Sequence, residues 1–247
     1  MEWSDEGILL EARKYSESSS IIEVFTSNFG RYKGIVKGGQ SRKMVPFLQP
    51  GSQLKLVWRA RLQEHLGIFK VEPLRVRSAF VLNERIALSG LNAVTGMLCS
   101  FLPEREAYSS LFGATEVLLD MLDKREIWPI SYLKWEMGFL DVLGYGLDLS
   151  KCTVTGSKDN LKYISPKTGK AVSSHVAGEW ARRLFPLLPI IRDPQPDNDH
   201  DIVKALEIVG HFFEKHAAQD LGLKQMPASR ERLIETIRIT TKNENST

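Results

Sequence analysis

Residues 21–39 read IIEVFTSNFGRYKGIVKGG, and the architecture of the first part of the chain follows from them. Ile21-Ile22-Glu23-Val24-Phe25-Thr26 is rich in β-branched and aromatic side chains, which suit a pleated, half-buried surface. Asn28-Phe29-Gly30 supplies a tight turn, Arg31 to Val36 alternates basic and apolar positions, and Gly38-Gly39 breaks the run. Upstream, Ile8-Leu9-Leu10-Glu11-Ala12-Arg13 leads into a Ser-rich turn at Ser16 to Ser20. Downstream, Gln53 to Trp58 and Leu66 to Val71 make two further strands. Five short strands separated by roughly 8–12 residues predict a small closed or partly open barrel, and the length suits a five-stranded OB-type barrel. An SH3-like barrel or an open sandwich shares this periodicity.

After Ser78 the period changes from two to that of a helix. Leu88, Leu91 and Leu98 recur at helical spacing up to Pro103, and Leu111, Ala114, Leu118 and Met121 do so in the next segment. Ile130, Leu133, Met137 and Leu140 follow Pro129, which suits a first helical turn, and Gly144 and Gly146 end that run. Ile202, Leu206, Val209 and Phe213 mark another helix behind a proline- and Asp-rich linker from Asp193 to Asp201. Ser229 to Ile239 is the last. Between the helical segments, Tyr163-Ile164-Ser165 and Ala171-Val172-Ser173 flank Pro166-Lys167-Thr168-Gly169 and predict a hairpin. The fold class is therefore α+β. The expected organisation is a barrel domain over 1–79, a mainly helical domain over 80–240 with a small β-hairpin insertion at about 147–176, and a disordered polar tail at 241–247.

Composition excludes several classes. With 43% apolar and 26% charged residues the chain is an ordinary folded protein, and its 247 residues favour two compact units. No stretch approaches the roughly 20 apolar residues that cross a bilayer, and the acidic start Met1-Glu2-Trp3-Ser4-Asp5-Glu6 is unlike a secretory signal. A cytoplasmic protein is expected. Two cysteines, Cys99 and Cys152, exclude a disulfide framework.

Catalytic and cofactor patterns are weak. Gly34 to Gly39 has glycines and a lysine but not the spacing of a phosphate-cradling loop. His211 and His216, five apart, point about 140° apart on a helix and do not share a metal face. Asp197, Asp199 and Asp201 lack the glycine and distal glutamate of a calcium loop. Cys99 lies in an apolar helical run and suits a core position. Cys152-Thr153-Val154-Thr155 has a threonine where a zinc knuckle needs its second cysteine, and Ser173, Ser174 and His175 across the hairpin do not complete four ligands. The insertion is expected to be zinc-ribbon-like but metal-free. No catalytic residue, metal or cofactor is expected, so the chain is expected not to be an enzyme.

Charge is where the sequence speaks. Net charge is only +3, but residues 1–80 carry 13 Lys+Arg against 8 Asp+Glu, and nothing between Glu23 and Glu64 is acidic. That interval holds Arg31, Lys33, Lys37, Arg42, Lys43, Lys55, Arg59 and Arg61. Arg31 and Lys33 project from one face of a strand, Lys37 ends it, and Arg42 and Lys43 lie in the following loop. Such a cluster suits a polyanion, whose phosphates it neutralises with release of counter-ions. Of the interleaved aromatics, Trp58 and Phe29 suit the barrel core, and Tyr32 and Phe47 are the better candidates for stacking on bases. The expected nucleic-acid site is Arg31, Lys33, Lys37, Arg42, Lys43, Arg59 and Arg61.

Gly30-Arg31 to Lys37-Gly38-Gly39, the Ser-Arg-Lys loop and Leu48-Gln49-Pro50-Gly51 resemble the N-terminal barrel of the RecO recombination mediators. The likeness extends to Tyr15-Ser16-Glu17-Ser18, to Leu147-Asp148-Leu149-Ser150-Lys151-Cys152, to Tyr163 through Gly169, and to Ser229-Arg230-Glu231-Arg232-Leu233. It covers nearly the whole chain in order. The resemblance implies an OB-fold followed by a helical domain, and a role in DNA repair by homologous recombination. It also implies binding of single- and double-stranded DNA, annealing of complementary strands, contact with the acidic C-terminal tail of single-stranded DNA-binding protein, and work with RecR to load RecA. Arg31 and Lys37 match the family pattern by position, whereas Arg42 and Lys43 match as a basic loop. Some members carry a four-cysteine zinc site, of which this chain keeps only Cys152. An OB-fold RNA-binding module is the alternative, and an enzyme with its site among the helices comes last.

Overall fold

A computed structural model describes residues 1–62, 64–77, 81, 84–194, 201–220, 222 and 225–244. Two compact units make up the chain: Met1–Arg125 with Pro227–Thr236, and Glu126–Met226 with Ile237–Thr247.

The first unit is built on five strands, β1 (Glu2–Lys14), β2 (Ser20–Thr26), β3 (Gly30–Val36), β4 (Gln53–Arg59) and β5 (Ile68–Arg75). They close in the order β1-β2-β3-β5-β4, an OB-type barrel in which only β3 and β5 run parallel. β1 is much longer than Ile8 to Arg13. Its first half pairs with β4 and its second half with β2, so one strand closes the barrel. Polar residues 2–6 hide that first half from a hydropathy reading. Alternation then sorts the side chains: Leu9, Ile22, Val24, Tyr32, Leu54, Leu56, Trp58 and Phe69 fill the barrel core. Trp3 stacks on Phe29 with ring centroids 4.4 Å apart, so Phe29 belongs to this packing as expected. Tyr32 does not stack on a ligand face as its turn-like surroundings suggested. It is 4% exposed, because it shares the inward register with Gly34 and Val36.

Helices α1 (Arg85–Phe101) and α2 (Ser109–Asp120) pack in this same unit, with Phe25 meeting Phe112 edge-to-face at 5.3 Å. The unit thus extends past the change of period near Ser78, and residues 78–80, where the expected domain boundary falls, lie outside the described residues.

The second unit holds α3 (Trp128–Val142), a three-stranded sheet, two single-turn helices (α4, Ser174–Ala177; α5, Pro189–Arg192) and α6 (Ile202–Phe212), which continues into one π-helical stretch at Phe213–Ala218. Phe139 of α3 contacts Phe213 at 5.7 Å. The expected hairpin is present as β6 (Leu161–Ile164) and β7 (Ala171–Ser173), and a short β8 (Phe185–Pro186) joins it in the order β7-β6-β8. The last helix, α7 (Ala228–Glu244), carries the first four residues of the expected tail; 245–247 and the linker residues Asp197, Asp199 and His200 lie outside the described residues.

Candidate nucleic-acid interface

The eight cations between Glu23 and Glu64 fall into two groups that sequence distance conceals. Arg31 and Lys33 do point outward from one face of β3, but the chain's own residues 99–104 occupy that face. The Arg31 guanidinium pairs with Glu23 and donates to the carbonyls of Leu102 (2.7 Å) and Cys99 (3.0 Å), leaving its side chain 13% exposed. Lys33 donates to Glu104 at 2.7 Å and lies 3.5 Å from Glu23. Burial pulls the Lys33 ammonium down, but the Glu104 hydrogen bond and the charges of Glu23 and Glu104 outweigh it and raise its pKa. The hydrogen bond from Lys33 lowers Glu104.

Arg59 pairs with Glu2 at 2.8 Å across β1 and β4. Lys55 sits in register between Glu6 on β1 and Glu72 on β5, so acids from both neighbours flank it. The outer face of β1-β4-β5 is therefore largely charge-balanced. This corrects the expectation of an uncompensated basic interval: its counter-charges come from strands before and after it.

What remains is the end of the barrel. Lys37, Arg42 and Lys43 are exposed and make no ion pair among the described residues. Residues 41–48 coil into helical turns, with Val45 N–H donating to Ser41 O and Leu48 N–H to Met44 O. Met44 and Leu48, four apart, share the inner side and pack on the barrel core, which leaves Arg42 and Lys43 outside. The β1–β2 turn lies beside this connection. Gln40 donates through its backbone to Ser18 O (3.2 Å) and through Nε2 to Ser20 Oγ (2.7 Å). The pairing of Lys14 with Ser20, and of Ser20 with Val36, brings Lys14 and Tyr15 to the same end as Lys37. Tyr15 is 59% exposed, and Lys14 is exposed with no ion pair among the described residues.

A groove of about 640 Å³ runs from this end over β4 and β5, floored by Met44, Val57 and Ile68 and edged by Lys37, Arg59 and Lys70. Lys70 is exposed and has no ion pair among the described residues. Arg61, in the bend after β4, is also exposed and has no ion pair among the described residues. Sequence reasoning thus missed Lys14, Tyr15 and Lys70. The signal for Tyr15 was its position in a Ser-rich turn, where an aromatic ring has no strand register to bury it. Phe47, the other expected stacking residue, is half-buried on the helical turn.

The remaining titratable positions serve the fold. Cys99 lies near the end of α1, and burial pushes its thiol up to about 12. His211 Nε2 and Lys215 Nζ both lie within hydrogen-bonding distance of the Pro166 carbonyl at the hairpin turn (3.3 and 2.7 Å). Cys152 Sγ accepts from the Ser173 backbone N–H at 3.3 Å. Burial opposes its ionisation, but hydrogen bonds from Ser173 and Thr155 lower the thiol to about 6. Thr155 occupies the position where a zinc knuckle has its second cysteine. Among the described residues, no three His, Cys, Asp or Glu side chains gather as metal ligands, and no helix is long and apolar enough to cross a membrane.

The fold defines a class: an OB-type barrel with a mainly helical region and a small β-sheet behind it. Among known families, the one described as Recombination protein O N terminal matches residues 1–77, and Recombination protein O C terminal matches residues 82–225. A protein of Roseobacter denitrificans named DNA repair protein RecO is 53% identical over 236 residues, covering 96% of this chain and 98% of that protein. Namesakes from a Ruegeria species and Cereibacter sphaeroides are 50% and 52% identical over 237 residues, covering 96% of this chain and 98% and 99% of their own lengths. The chain belongs to the RecO family of DNA repair proteins. A structural likeness to Entamoeba histolytica asparaginyl-tRNA synthetase has a TM-score of 0.26 at 10% identity, covers 66% of this chain and 38% of that one, and carries no argument.

Proposed function

We propose that the chain is a non-enzymatic, cytoplasmic recombination mediator that binds single- and double-stranded DNA at the Lys37–Lys43 end of its barrel. The observation that carries this reading is the cluster of unpaired cations beside the exposed Tyr15 ring on an OB-type barrel. Lys14, Lys37, Arg42, Lys43 and Lys70 neutralise phosphates, and Tyr15 offers a face to an unpaired base. One cationic surface that holds two strands lowers their mutual repulsion, which is the physical basis of annealing. Family membership supports the rest: the acidic tail of single-stranded DNA-binding protein and RecR as partners, with RecA loaded in consequence. No bond is made or broken by the protein in this reading.

Fluorescence anisotropy of labelled single-stranded DNA at several salt concentrations tests it. The Lys37→Ala/Arg42→Ala/Lys43→Ala variant should bind more weakly, with a log-log salt slope flatter by about 2, at roughly 0.7 per phosphate contact. An unchanged slope sinks the assignment. Unlabelled RNA that competes better than DNA of the same sequence would instead favour an RNA-binding module. Tyr15→Ala removes no charge, so it should keep the slope while weakening single-strand binding by about 1 kcal/mol or more. Loss of duplex binding to the same degree would show that the ring does not stack on bases.

A further inference from the structure

A second basic stretch lies in the other unit, in the β insertion and the turns that follow it, and the barrel reading makes no use of it. Residues 147–192 carry eight Lys/Arg against three Asp/Glu, Asp148, Asp159 and Glu179. All eight cations are exposed, and none makes an ion pair among the described residues. The insertion is held from within by a small core of Cys152, Leu161, Ala171, Val172 and Ala177.

The 3-10 turn Gly178–Arg183 displays an aromatic ring in this stretch. In a 3-10 turn, side chains three apart eclipse one another. Ala181 and Leu184 accordingly point down together onto the small core, while Trp180 and Arg183 stand together outside. The Arg183 guanidinium lies 5.3 Å from the centre of the Trp180 ring. Trp180 is 63% exposed, whereas Trp58, Trp128 and Trp135 are at most 5% exposed. A tryptophan left in water forgoes the burial of some 150–250 Å² that normally places it in a core or an interface. Arg182, next to it, is exposed as well.

We propose that Trp180, Arg182 and Arg183 form a second nucleic-acid site, which takes single-stranded nucleic acid by stacking an unpaired base on the indole and pairing its phosphates with the two arginines. A flat ring beside a planar guanidinium matches a base, and the two exposed arginines match a phosphate chain. A duplex hides its base faces, so the site favours single strands. The site does not depend on the barrel. Two separate strand-holding surfaces, one in each unit, would let a single molecule carry two strands.

Trp180 is its own reporter, because Trp58, Trp128 and Trp135 are buried and Trp3 is stacked on Phe29. The full-length chain carrying Lys37→Ala/Arg42→Ala/Lys43→Ala is titrated with a thymidine oligomer while tryptophan emission and anisotropy are followed. The oligomer should quench emission, Trp180→Phe should remove the quenching, and a duplex of equal length should quench less. Trp180→Ala and Arg182→Ala/Arg183→Ala should each weaken oligomer binding about fivefold or more in that background. Binding without quenching, or a Trp180→Ala protein that binds as tightly as its parent, overturns the proposal. So does polyglutamate that quenches as strongly as the oligomer, which would assign the surface to acidic peptides. If the barrel variant keeps its full salt slope while Trp180 still reports the oligomer, the barrel reading fails and this one stands.

Discussion

Replacing Arg31 by alanine is expected to lower stability by about 3 kcal/mol while leaving the salt slope of DNA binding at its wild-type value. Arg31 matches the family pattern and opens the basic strand, so sequence alone ranks it among the DNA contacts. Its guanidinium instead answers three internal acceptors: the Glu23 carboxylate and the carbonyls of Cys99 and Leu102. Glu23 is only 7% exposed, and removing its main partner leaves a carboxylate with little water and with Lys33 alone at 3.5 Å. Breaking a buried ion pair from one side costs roughly 3–5 kcal/mol, and Lys33 places this case at the lower end. At about 2–4 °C per kcal/mol, the melting midpoint should fall by some 6–12 °C. Thermal unfolding followed by circular dichroism reads it. Because the cost is an orphaned charge, Arg31→Met combined with Glu23→Leu should recover much of it. A variant as stable as wild type but with a flatter salt slope would return Arg31 to the DNA surface.

Gly30→Ala should cost about 3 kcal/mol, roughly twice as much as Gly38→Ala. Both glycines have positive φ, +73° and +74°, so an alanine at either pays the left-handed penalty of roughly 1–2 kcal/mol. Around Gly38 there is open space, whereas a Cβ on Gly30 would fall on the Glu106 backbone carbonyl. Backbone cannot rotate away as a side chain can, so residues 104–106 must shift off β3. That adds roughly 1–3 kcal/mol and disturbs the Arg105 N–H bond to Arg31 O. Paired denaturation curves of the two variants check it. Equal costs would mean that the 104–106 segment is free to move.

These two positions show what could be read from the chain and what could not. Gly30 and Gly38 look alike as turn signals. Only the docking of a segment more than 70 residues later separates them. Likewise Arg31, Lys33 and Lys37 form one basic run, yet Glu104 from beyond α1 captures the first two and leaves the third in water. Arg59 is paired by Glu2, 57 residues earlier. Tyr32, a candidate for stacking on bases, alternates with Arg31 and Lys33 on a strand that begins at Gly30, and that register turns its ring inward. Tyr15 escaped notice because exposure leaves no periodic trace.

The sequence by itself determined the main elements and their order. Alternation at period two set the strands of the barrel, the 3.6-residue period set the helices, and proline and glycine set their ends, because each depends on residues within a turn or two. Tertiary structure alone decided which charges remain available to a ligand. Closing β1 onto β4 and laying residues 99–106 along β3 bring acids within 4 Å of cations that are distant in the chain. An ion pair depends on separation in space, and spacing along the chain carries no record of it.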